Sequence, residues 1–545
     1  MSLPRLLTLT MLVLLLVGCV PASPQPTPTA TRTPRPTATL TPSPTPTPAF
    51  PVTVGCGEEV PDGACAQLRA IVEADPAHFR WMEGAVQADL QLRATAAPTA
   101  TVLPVGSWVY AAAVPFFTLE EEATAEGLRS AWAGEGGGPL FVRAEDRPLL
   151  AAMWGEPSAQ VAVITGTLTP EQVEAEGGVA LLPFDRLAPQ WKVLAVDGVS
   201  PLWRPLPPDY ALAFPLYLVG TTRADAMPLL GLGSGSLTNR DETKMTVVMM
   251  TGVTAMTRAT AQLMETKGIT YPATSIAPWF EDADFVHVSN EVSFRPDCVA
   301  EGHGTMSFCS NDRYIALLEA IHTNIVELTG NHLADKGTQW ITHSLEMYAE
   351  RGWQWFGGGY NLADATRPLT ITHHGNRIAF LGCNPIGPAY DWATEDSPGS
   401  APCDYDHLRA QIAALHDEGY QVIVTQQYLE TYEYVPTPQQ IRDFRSLASA
   451  GATVVQGSQA HQAQTLEFYG DSFIHYGLGN FFFDQMWSLG TRQEFVNRLV
   501  FYDGRLVSIH QHTALLEEYG RPRPMTAEER RDFLQMIYDL SPRGQ

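Results

Sequence analysis

Leu328-Thr329-Gly330-Asn331-His332-Leu333-Ala334-Asp335-Lys336-Gly337 decides how the chain folds. The apolar run 325–328 breaks off into small and polar residues, as a buried strand does when it delivers side chains at its carboxyl end. An asparagine carbonyl oxygen can ligate a hard or borderline metal, and a neighbouring histidine can donate a proton to a leaving group or steady a phosphoryl oxygen. Asp335 stands three residues past His332, placed either to join such a site or to cap a helix beginning at Lys336. An Asn-His pair also suits a plain structural turn, because asparagine readily takes the left-handed conformation.

The same pattern recurs on both sides. Runs 245–250, 285–288, 422–424 and 453–455 lead into Thr251-Gly252, Ser289-Asn290-Glu291, Thr425-Gln426-Gln427 and Gln456-Gly457-Ser458-Gln459-Ala460-His461. Helix-like segments 311–322, 338–351, 407–418 and 438–450 lie between them, the last three followed by Gly352, Gly419 and Gly451. Strand, polar tip and helix in repetition predict an α/β fold with a largely parallel sheet and the functional groups gathered at the strands' carboxyl ends.

With these motifs in place, the chain resembles the bacterial poly-γ-glutamate capsule synthesis (CapA) family. The segment 328–337 matches that family's Asn-His motif, Phe356-Gly357-Gly358-Gly359-Tyr360-Asn361 its glycine-rich step, and the stretch from Phe473 through Gly479-Asn480 to Asp484 its closing motif. The resemblance covers about 245–484 and implies a metallophosphoesterase-type, calcineurin-like α/β/β/α sandwich, beside a separate N-terminal α/β domain. It implies Glu291, Asn331 and His461 as ligands of a divalent metal (Mn, Zn or Mg), His332 as proton donor with Asp335, and Gln427, Gln459 and Asn480 as further cleft residues. The implied partner is a capsule polymer or another small or polymeric anionic ligand.

Three departures bear on chemistry. Gly252 is followed by Val253 where the family places a ligating aspartate, Gln427 stands where it has a histidine, and its histidine-rich loop is reduced to Gly457-Ser458-Gln459-Ala460-His461. Two close divalent ions need a bridging carboxylate and several imidazoles. What survives suits at most one weakly held ion, with Gln427, Gln459, Thr254 or Asp335 lending oxygens, or a metal-free binding cleft.

Composition bounds the rest. The 545 residues carry Lys+Arg 34 against Asp+Glu 59, a formal charge of −25, and with the three arginines of the first 50 residues set aside the remainder stands at −28. A field of that sign excludes a nucleic-acid partner. Only four lysines are present, so any basic site must be built of arginine. At the amino end Arg5 and the apolar run 6–17 read as an export signal over 1–18, and Leu16-Val17-Gly18-Cys19 resembles a lipobox, which implies a lipid on Cys19 and an extracytoplasmic, membrane-anchored protein; a plain signal peptide with a chance cysteine is the alternative. Residues 21–50 hold ten Pro and nine Thr and no acid, a polyproline-type stalk (19–50 in all) of up to about 90 Å. The other six cysteines pair by proximity as Cys56 with Cys65, Cys298 with Cys309 and Cys383 with Cys403; a metal cluster is the competing reading, without any C-x-x-C to support it.

Gly231 to Ser236 reads as a linker dividing an N-terminal α/β domain, 51–235, from the CapA-like domain, 241–512, with a tail at 513–545. The spacing of elements in 51–235 resembles half of a periplasmic solute-binding protein of the phosphate or molybdate type; a spacer or docking domain without a ligand is the other reading. His373-His374 beside Gly375-Asn376 is expected at the surface, Tyr428, Tyr432 and Tyr434 with Glu430 and Glu433 either line a cleft or pack on one another, and His510 and His512 are expected at a solvent edge of a strand.

Overall fold

A computed structural model describes residues 51–84, 87–95, 100–300 and 306–542. The export signal, Cys19 and the stalk lie outside the described residues.

The strand Met245–Thr254 is buried along its whole length, which accounts for its unbroken apolar run. It pairs in parallel with Phe285–Asn290, which continues through Ile325–Glu327 to Gln354–Phe356. On its other side the sheet turns antiparallel through Gln493–Tyr502, Arg505–Glu517 and Arg521–Pro524. A second sheet has Asn376–Cys383, Gln421–Gln427, Val454–Ser458 and Ser472–His475 parallel at its centre, edged by antiparallel Leu369–His373 and Leu466–Tyr469.

The alternation of side chains explains the stacking. Val248, Met250, Ile325 and Phe495 of the first sheet meet Phe380, Ile423, Val454 and Phe473 of the second in one core. Met249, between Val248 and Met250, points the other way into a core with the helices Arg258–Lys267 and Gln339–Glu350. Val422 and Val424 likewise face the helices Tyr405–Asp417 and Pro438–Ser449. The result is helix, sheet, sheet, helix, each fully buried aliphatic side chain contributing roughly 1.5–3 kcal/mol.

The N-terminal part is a mixed α/β array around the long strand Thr101–Pro115, with helices Asp62–Ala74, Ala125–Ala133, Arg147–Trp154 and Pro170–Glu176. Past the glycine-rich stretch the chain stays with this array: Leu237–Thr238 pairs with Gly106 and Ser107, and Asn239 exchanges hydrogen bonds with the backbone of Val109. Met245, Val247, Val500 and Tyr502 belong to the core of the N-terminal sheet, so the two parts share apolar contacts.

Two expectations are corrected. Residues 513–545 do not begin a tail: Arg505–Glu517 runs on, and the helix Ala527–Leu540 buries Phe533, Leu534, Ile537 and Tyr538 against the inter-sheet core. His510 and His512 are not at an open solvent edge: both are half-buried, their rings set against Trp203 at 5.0 Å and Trp279 at 4.6 Å. The disulfides Cys56–Cys65, Cys298–Cys309 and Cys383–Cys403 form as sequence proximity suggested, which points to an oxidising, extracytoplasmic setting. No helix among the described residues is long and apolar enough to cross a membrane.

Candidate functional site

Both sheets present their strand ends at one edge, and the predicted residues meet there. Glycine permits the closest approaches. A Cβ on Gly330 would fall 2.7 Å from the Glu291 Cα, and one on Gly252 would fall 2.2 Å from the Gly479 carbonyl oxygen. The Asn331-His332 turn therefore lies directly on Glu291, and the first strand lies directly on the loop that carries Asn480.

At the centre stands Gln427, 1% exposed. Its amide nitrogen donates to Glu291 Oε1 at 3.1 Å, to Asn331 Oδ1 at 3.0 Å and, closer still, to Gln459 Oε1. One amide thus gathers three oxygens contributed by three separate strand ends. The second carboxylate oxygen of Glu291 is buried without a hydrogen-bond partner, as is the Thr254 hydroxyl. Burial pushes the Glu291 carboxyl up to about 7.

His332 and Asp335 form a pair, Nδ1 to Oδ2 at 2.7 Å, with Asp335 also accepting the Phe308 backbone N–H at 2.7 Å. Asp335 therefore holds the histidine and is no helix cap; the next helix starts at Gln339. Burial opposes the charged imidazole, yet the hydrogen bond from His332 to Asp335 and the nearby Glu291 carboxylate outweigh it and raise the His332 pKa. His461 shares a 2.8 Å hydrogen bond, through Nδ1, with Asn480 Oδ1, and burial lowers it to about 4, so it is neutral. Gln459 and His461 both take positive φ, 77° and 52°, which concentrates backbone strain in this loop.

Several participants carry no signal in the sequence. Asp391 accepts the Ala334 N–H at 2.6 Å, its carboxyl pushed up to about 7 by burial. Arg258 forms an ion pair with Asp484 and lies over Phe308 at 4.8 Å and Phe483 at 5.1 Å. Asp484 was within reach as the end of the closing motif; Asp391 sits in a loop and Arg258 opens a helix. The tyrosine cluster divides: Tyr428 and Tyr434 are tied down by Asp443 and Gln493, whereas Tyr432 lies over His461 and bonds Glu430. His373 and His374 serve the sheet edge, bonded to Thr246 and the Met245 carbonyl oxygen.

A two-metal centre does not fit these residues. Val253, where the resemblance would put a ligating carboxylate, packs in an apolar cluster with Ala255, Val292, Phe308 and Phe483. The oxygens of Glu291, Asn331 and Gln459 already converge on one amide nitrogen and Asp335 is taken up by His332 and the Phe308 N–H, so the second oxygens of Glu291 and Asp391 that remain unpartnered are too few to complete two coordination shells. Among the described residues no group of three or more His, Cys, Asp or Glu is arranged to hold a metal ion.

The profile of the family described as bacterial capsule synthesis protein PGA_cap matches residues 247–485. The chain is similar to the capsule biosynthesis protein CapA of Bacillus anthracis, 26% identical over 324 residues, which are 56% of this chain and 75% of that protein. It is also similar to the PGA biosynthesis protein CapA of Bacillus subtilis (strain 168), 25% identical over 236 residues, 43% of this chain and 62% of that protein. Among solved structures, a 5'-nucleotidase precursor from Thermus thermophilus aligns over 54% of this chain and 58% of its own, with 12% identity and a TM-score of 0.31. Residues 247–485 thus resemble the PGA_cap capsule synthesis family, and over that part the chain is a distant homologue of the Bacillus CapA proteins.

Proposed function

We propose that this protein serves capsule-polymer assembly at the cell surface as a binding component, its calcineurin-like α/β/β/α part gripping a polymer chain rather than cutting it with metal ions. The observation that carries this is Gln427, whose amide nitrogen cross-links Glu291, Asn331 and Gln459 where a phosphoesterase would gather its ligands around a cation. The family's Bacillus members, named for capsule and PGA biosynthesis, support poly-γ-glutamate or a related surface polymer as the ligand. An export signal over 1–18, lipidation at Cys19, a stalk over 19–50 and a division into a solute-binding-like part, 51–235, and a CapA-like part, 241–512, belong to the same proposal.

A second reading, metal-free acid–base hydrolysis, is favoured by the His332–Asp335 pair at 2.7 Å. One experiment separates the two. Immobilised protein is incubated with capsule polymer, and both retention and chain length are measured. Retention of uncut polymer is expected; shortening of the polymer that His332→Ala abolishes would establish the hydrolase instead.

A further inference from the structure

A cavity of about 60 Å³ lies where the N-terminal array meets the sandwich, and basic groups gather around it. Glu121, Lys192 and Ser200 line it from the N-terminal side, His510, Gln511 and Arg530 from the other. It adjoins an open length of sheet edge: Arg521–Pro524 pairs only with Ala514 to Glu517 of the strand Arg505–Glu517, so His510 and Gln511 fall before the paired stretch. The Lys192 ammonium stands 5.3 Å from the centre of the Tyr538 ring, and its only hydrogen bond among the described residues goes to the Thr118 carbonyl oxygen. Burial lowers its pKa to about 8.

The charges of the lining do not balance. Arg530 directs Nε, at 2.7 and 2.8 Å, and Nη2 to the Glu121 carboxylate, and Nη1 to the Gln511 carbonyl oxygen at 2.7 Å and the Thr513 hydroxyl at 3.0 Å. That ion pair is neutral, so Lys192 leaves one positive charge over, in a chain whose net charge is −25. Nearby Arg498 is matched by Asp282, and Glu120, which also attracts Lys192, is exposed and outside the lining. Donors are in excess as well. The Ser200 hydroxyl accepts the Leu202 N–H at 3.3 Å and keeps its own proton to give. Gln511 is 4% exposed, and its side-chain nitrogen has no acceptor. Desolvation, the adjoining His512 and the cations Arg530, Arg498 and Lys192 hold His510 well below its ordinary pKa, so its imidazole is neutral and carries one N–H. A cation withdrawn from water without a counter-charge is unfavourable, and a bound anion relieves it. One surplus charge calls for a monoanion, and the volume suits a carboxylate.

We propose that this cavity binds a small monocarboxylate of acetate size, held by Lys192 and Ser200 of the N-terminal array and by His510 of the sandwich. The site is separate from the strand-end cleft and does not depend on the polymer-binding reading. Two measurements on the full chain test it. Thermal unfolding is followed against sodium acetate, with ionic strength kept constant by HEPES, which is too bulky for the cavity. Crystals are soaked in sodium bromide, a monoanion that also fits, and bromide is located by anomalous scattering. The unfolding midpoint is expected to rise saturably, by about 1–3 °C at about ten times the dissociation constant, and Lys192→Met to abolish the rise. Bromide is expected in the cavity. No saturable rise, an equal rise in Lys192→Met, or a cavity holding water without bromide overturns the proposal. The bromide measurement uses the wild type, so it decides even where Lys192→Met fails to fold.

Discussion

Gln427 shows how one residue changes the chemistry a strand end can perform. Its N–H groups satisfy acceptors that would otherwise be buried unpaired, so Gln427→Leu should lower stability by about 1–3 kcal/mol, read as a shift in the urea midpoint. A midpoint unchanged in that variant would mean the three oxygens find other donors. Glu494 is the opposite case: 1% exposed, with neither carboxylate oxygen partnered, and held well above the ordinary carboxylate range by burial. A folded-state pKa raised above the unfolded one means the native state holds the proton longer, so this group's contribution to stability is greatest below about 4.5 and declines as pH rises. Glu494→Gln should therefore stabilise the protein near pH 8 and lose that advantage below about pH 4.5, measured as the difference between urea midpoints across pH. The substitutions at Val253, Gln427 and Gln459 were legible from the sequence, because they interrupt motifs. Asp391 and Arg258 were not, since each reaches the site through a contact with a residue far away in the chain.

At the scale of elements, strands ending in small polar residues were readable because burial on both faces leaves continuous apolar runs. The C-terminal helix was missed for the converse reason. Its first turn is charged, Ala527 to Arg531, and the apolar stripe Phe533, Leu534, Ile537 and Tyr538 takes its meaning only from the inter-sheet core it covers. The partial cover over His510 and His512 was hidden in the same way, since the tryptophans set against them stand at 203 and 279. The local disulfides were legible from spacing alone. Cys298–Cys309 closes a short loop, with a sequence separation of 11, and anchors Phe308 beside His332. Replacing both cysteines by serine should cost roughly 2–3 kcal/mol, measured by denaturation with the wild type under oxidising conditions as reference. Equal stability of the two would show that the bridge does not constrain the unfolded chain.

At the scale of the whole molecule, the N-terminal array and the two-sheet sandwich meet through a shared core and through Arg498, which is fully buried and paired with Asp282 while also donating to the Leu202 carbonyl oxygen. One surface of the sandwich is thus covered by the chain's own first half. The central claim is that this edge is organised around an amide and not around metal ions. Its most direct test is elemental analysis of the purified chain after equilibration with Mn, Zn and Mg and removal of free ions. The expected result is far less than one ion per chain, rising when Val253→Asp and Gln427→His are introduced together; stoichiometric metal in the wild type, lost in His461→Ala, would contradict it.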